Sequence, residues 1–175
     1  MKEGIGMKRT IIIAAITVII TAIFAACSVK MGDSSQTAKD YAEQKQEEIL
    51  DAFKDGDKAA VKKLMCKYVT DNDKELDKEI DDAIAAIDSK IKSVGDTKPS
   101  MTGDDDNKQY SAYTQKVTTE SGKEYKISFE GWYKCGDNAD KEGVMLIKVI
   151  DTSVEIDHSK EDKDNGIFNI GIKEQ

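Results

Sequence analysis

The apolar residues of this 175-residue chain recur every three or four positions up to about residue 87, and every second position after about residue 110. A stripe of the first kind is one face of a helix, and alternation of the second kind is one face of a strand. In the first helix, predicted over residues 36–54, the stripe is Tyr41, Ala42, Ile49, Ala52 and Phe53. Gly56 follows where a left-handed cap belongs, and Asp57 is placed to cap the next helix. Val61, Leu64, Met65 and Tyr68 make the second stripe, which ends near Val69. Asp71 to Asp73 supply a further cap, and Leu76, Ile80, Ala83, Ile84 and Ile87 form the third stripe. Residues 89–94 read equally as a helix extension or a short strand. Residues 95–108, with Pro99 and the run Asp104-Asp105-Asp106, read as a solvated loop. Strands are then predicted over residues 110–119, 124–135, 144–150 and 167–172. Helices gathered at the front and antiparallel strands behind them define an α+β fold, with helices covering one face of the sheet.

The segment ahead of these elements has a separate logic. Lys8 and Arg9 form a short basic head, followed by the uncharged apolar residues 10–24. Such a run suits a signal-peptide core, whereas a membrane-spanning helix needs about 20 residues. Phe24-Ala25-Ala26-Cys27 comes next, with small residues fit for a narrow peptidase cleft and a cysteine at the new N-terminus. The motif resembles the lipobox of bacterial lipoproteins, with Phe24 in place of the usual leucine. The resemblance implies cleavage before Cys27 and a thioether-linked diacylglycerol on its sulfur. Two or three acyl chains meet the physical requirement, since one chain holds a protein to a bilayer only marginally. The expected organisation is a lipoprotein signal peptide over residues 1–26, then the lipidated cysteine with a polar tether over 27–37. One α+β domain follows over 38–175, with helices about 38–88 and strands about 90–172. Localisation follows from the anchor: the cell membrane, on its extracellular face.

Residues 1–26 hold three of the 26 basic and one of the 34 acidic residues, so the remainder carries 23 against 33, a formal charge of −10. An acidic domain argues against nucleic acid as a partner, which needs a basic footprint. It argues equally against the domain lying flat on an anionic bilayer. Two cysteines remain after lipidation. A Cys66–Cys135 disulfide would close a long loop, worth about 4 kcal/mol on chain-entropy grounds. Cys135 is in phase with a core-facing strand, but Cys66 falls off its helical stripe, which favours two free thiols.

No catalytic, cofactor or metal motif stands out. His158, the one histidine, sits beside Asp157 in a charged stretch, so Ser/His/Asp and Cys/His schemes lack support. The acidic runs at 104–106 and 157–164 do not keep the ligand spacing of a calcium loop. Aromatic residues are the remaining candidates. Tyr113, Phe129 and Tyr133 fall on one sheet face, as core or as a pocket lining. Trp132 falls on the other, as a contact point.

Three blocks, taken in order, resemble a known family. They are Lys54-Asp55-Gly56-Asp57 with Val61 and Leu64; Leu76 through Ile87 leading into Lys90-Ile91-Lys92-Ser93; and Val117-Thr118-Thr119 to Gly122, Tyr125-Lys126-Ile127-Ser128-Phe129, Gly143 and Ile147-Lys148-Val149-Ile150. They resemble a family of lipoproteins from Gram-positive bacteria known as a domain of unknown function, itself similar to NTF2-like or cystatin-like cones. The resemblance implies a strand at residues 90–94, a curved antiparallel sheet wrapping the N-terminal helices, and a pocket between the two. The chain runs about 25 residues past Ile150, beyond the family's usual extent. The function expected from all this is a non-catalytic binding or interaction module, with membrane contact through lipid on Cys27 and a small ligand or a surface protein as partner. An envelope hydrolase using two carboxylates, or an assembly partner at the cell surface, are the other readings. No cofactor is implied.

Overall fold

The structure is a computed structural model and describes residues 38–105 and 108–173. Phe24, Ala25, Ala26 and Cys27, the tether and Asp106 lie outside the described residues. Helix α1 (Ala38–Asp55) buries Ala42, Ile49, Leu50, Ala52 and Phe53 on one stripe. Gly56 ends it with φ +61°, and the Asp57 carboxylate then accepts from Ala60 N at 3.0 Å to start α2 (Lys58–Leu64). The apolar stripe suggested a single helix through residue 69, yet the chain breaks after Leu64 and resumes as α3 (Lys67–Asn72). The cause is long-range. Met65 is extended and bridges to Val144, and Cys66 N donates to Val144 O at 2.9 Å. Helix α4 (Leu76–Ala86) follows, burying Leu76, Ile80 and Ala83.

The five strands are β1 (Ile91–Asp105), β2 (Lys108–Thr119), β3 (Glu124–Cys135), β4 (Gly143–Asp151) and β5 (Ile167–Gly171). Every neighbour in the sheet is a neighbour in sequence, in the order β1-β2-β3-β4-β5, and every pairing is antiparallel. One row crosses four strands, Tyr113 opposite Phe129, Phe129 opposite Ile147, and Ile147 opposite Ile170. All four side chains are essentially inaccessible to water. Helix α1 covers β1, β2 and β3 from this side, and α4 covers β4 and β5.

Two expectations are overturned. The sheet is not a cone: it is an open meander whose β1 and β5 edges do not meet, so the NTF2-like and cystatin-like comparison fails. The packing gives the reason. Separate helices lie over the two halves of the sheet, so no single helix exists for the strands to curl around. Residues 95–105, read as loop, belong instead to β1, paired with β2 through three register shifts. Pro99 is tolerated because β1 is an edge strand, paired on one side only, and a register shift follows directly after it. At Gly131 the backbone leaves no alternative residue, since a Cβ there would lie 2.3 Å from Gly143 O.

Asp151, at the end of β4, ties the sheet to the loop behind it. Its carboxylate takes Lys123 Nζ at 2.6 Å and both the amide and hydroxyl of Ser153, at 3.0 and 2.7 Å. Burial pushes this carboxyl up, but the bonds from Lys123 and Ser153 outweigh burial and hold it below the usual aspartate range.

Phe129→Ala should lower unfolding stability by about 3–5 kcal/mol, the cost of emptying a fully packed aromatic site; urea titration followed by circular dichroism measures it. Because the folded-state Asp151 carboxyl lies below its unfolded value, near pH 4, its stabilisation is complete above that pH. It is lost as the pH falls through the folded-state value. Asp151→Asn should therefore cost about 2 kcal/mol at pH 7 and show a shallower loss of stability than the wild type in urea titrations between pH 5 and pH 2.

Candidate functional site

The alternation of β2 and β3 divides their aromatic residues between the two sheet faces. Tyr113 and Phe129 stack at 6.4 Å with 23° between ring planes, both buried under α1. Tyr133, in the bulge opposite Gln109 and Tyr110, reaches Tyr41 of α1 at 5.3 Å. These three are packing residues on the helix side. The Tyr113 hydroxyl still donates to Glu43 Oε1 at 3.4 Å, and burial, then the Glu43 charge, pushes its phenol up. Trp132 is half-buried, edge-on to Tyr110 with centroids 5.0 Å apart, and also packs against the edge of the buried core.

Among the described residues, α1 packs on β1, β2 and β3 and α4 on β4 and β5. Beside Trp132 and Tyr110, the next cross-strand row is Ala112, Glu130 and Leu146. Tyr110 donates to Glu130 Oε2 at 2.7 Å and Lys148 Nζ to Glu130 Oε1 at 3.0 Å. Burial raises the Glu130 carboxyl, and these two donors more than reverse it, with Lys173 adding to the pull downward. A depression of about 490 Å³ opens next to this clamp, with Leu146, Ile150 and Ile167 as its apolar part and Lys148, Asp162 and Lys173 among its polar lining. A general base needs a carboxyl poised near working pH with a free oxygen. Glu130 is moved the other way and both oxygens are engaged, so this arrangement is built for holding charge in place.

A second cavity, about 400 Å³, lies at the seam between α1 and the strands β1 and β2, lined by Glu43, Gln46, Glu47, Leu50, Lys54, Val94 and Gln115. Tyr113, Phe129, Trp132 and Tyr133 line neither depression. Residue patterns pointed to aromatic residues and missed Gln46 and Glu130. The signal for Gln46 was its phase, four residues after Ala42 and three before Ile49, which turns a polar side chain toward the core.

Cys66 and Cys135 are both buried free thiols. Cys66 Sγ donates to Met145 Sδ at 3.2 Å, and burial raises its thiol against weaker backbone hydrogen bonds. A raised thiol is a poor nucleophile. His158 is exposed in the loop after β4. Glu79 on α4 is the carboxyl shifted upward, chiefly by burial, but it already accepts from Gly171 N at 2.8 Å. Among the described residues no three His, Cys, Asp or Glu side chains gather as a metal site.

No curated protein matches the chain. The family described as domain of unknown function DUF5104 matches residues 48–152, from within α1 to just past β4. The match leaves β5 and the loop before it outside, and it carries no statement about lipid or ligand. It covers more than half of the chain, and the protein therefore belongs to the DUF5104 family.

Proposed function

We propose that this protein is a lipoprotein tethered to the extracellular face of a bacterial membrane, where its domain acts as a binding module rather than a catalyst. The tether rests on the basic head, the short apolar run and the Phe24-Ala25-Ala26-Cys27 motif, with Cys27 as the lipid acceptor. One observation carries the binding reading: among the described residues, one part of the sheet combines Trp132 on Tyr110, the partly exposed apolar side chains Ile150 and Ile167, and the fixed Glu130–Lys148 pair. Tryptophan beside preordered charge is the composition of an interface hot spot. Its ionic groups are bound to one another before any partner arrives, so little ordering cost remains at contact.

Metabolic labelling with an alkyne fatty acid tests the tether. Wild-type chain should carry the label and, by mass, begin at Cys27, and Cys27→Ser should carry none. Unlabelled wild type at full precursor mass would replace the lipid anchor with a hydrophobic span. Crosslinking from intact cells tests the face: Trp132→Ala should reduce capture by about tenfold or more, and unchanged capture would remove Trp132 from the contact.

A further inference from the structure

The buried stripe of α1 contains one residue that does not belong in an apolar core. Gln46 is 2 % exposed, between Ala42 and Ile49, at the seam cavity. Its Nε2 donates to Ile127 O at 3.4 Å, while its Oε1 accepts no hydrogen bond among the described residues. An amide buried with one end unsatisfied is costly, and leucine in its place would avoid that cost. A buried acceptor left unsatisfied calls for an explanation, and a donor from outside the chain supplies one.

The rest of the lining has the same bias. Glu43 and Glu47 stand one turn apart on α1 on either side of Gln46. Glu43 is shared with the Tyr113 hydroxyl and, at 3.7 Å, with Lys39. Glu47 makes no ion pair among the described residues. Lys54 lies at the cavity too, but its ammonium is held by Asp51 at 2.9 Å. Gln115 turns its Nε2 to Gly95 O at 2.8 Å. Leu50 and the partly exposed Val94 form an apolar strip between these groups. Among the described residues the cavity is thus rich in acceptors, poor in uncommitted donors and apolar along its middle. Its volume lies at the small end of the range for ligand pockets.

We infer that the α1–β1–β2 seam binds a short alkyl ammonium compound, with the ammonium placed between Gln46 Oε1 and the Glu47 carboxylate and the alkyl chain along Leu50 and Val94. A ligand that is cationic and a multiple donor satisfies both the neutral and the charged acceptor and matches the carboxylate in charge, whereas an anion is repelled by Glu43 and Glu47. The formal charge of −10 beyond the signal segment raises the local concentration of such a cation.

The inference rests on the reading of the domain as a binding module and is separable from it. The full chain in nonionic detergent is titrated calorimetrically with 1,4-diaminobutane and, in parallel, with 1,4-butanediol. The diamine should bind and the diol should not. Glu47→Gln should weaken diamine binding about tenfold, the loss of one charge-assisted contact. Gln46→Leu should weaken diamine binding severalfold, the loss of one hydrogen-bond acceptor, while leaving thermal stability equal or higher. That combination would not follow if Gln46 were a structural residue. Equal heats from diamine and diol, or undiminished diamine binding by Glu47→Gln, would overturn the assignment. If the diamine fails while Trp132-dependent capture persists, the ligand class alone is wrong; if both fail, the binding reading falls with it.

Discussion

The row Tyr113–Phe129–Ile147–Ile170 is what the remaining structure leans on. It runs perpendicular to four strands, is sealed from water along its length, and gives both long helices the surface they bury against. Antiparallel pairs of large side chains fix register, because a slip of one residue would turn each of them to the opposite face. With register fixed, the positions of Glu130 and Lys148 on the other side follow, and the irregularities at Gly131 and Tyr110 then set Trp132. A rigid inner face therefore determines the geometry of the outer one.

The helices are seated by a different kind of contact. Cys66 N to Val144 O is a single backbone hydrogen bond, yet it turns what the residue pattern makes one helix into two. Gly143 lies against this junction, its Cβ position 3.0 Å from the Cys66 side chain, and Gly131 lies against Gly143 in turn. Helix break, strand bulge and close backbone approach thus occupy one small region, where the N-terminal layer is stitched to the central strands.

What could be read from residues alone was what depends on local pattern. The bounds of β3, the turn before it and the stripe of α1 all follow from period and turn residues, and the structure agrees with them. β1 was hidden because Gly95, Pro99 and Gly103 disfavour a strand locally, and its pairing with β2 overrides that preference. The open meander was missed for a related reason: curvature depends on where helices pack, which no single segment records. Of the polar groups, Glu130 alternates correctly with its neighbours, but nothing in its vicinity announces Lys148, eighteen residues away, as its partner. Gln46 was obscured by the charged residues around it, Glu43, Lys45, Glu47 and Glu48, although its phase placed it inside.

β4 is apolar on both faces, with Val144, Met145, Leu146, Ile147 and Val149 all buried. Only five residues of β5, outside the family-matched stretch, occupy its outer hydrogen-bonding edge, held there by α4 and by Ile172 N on Met145 O at 3.0 Å. A greasy strand with a vacant edge is a template for self-association. β5 thus covers an edge that would otherwise invite self-association, and it is joined in sequence to β4 only through the exposed segment 152–164.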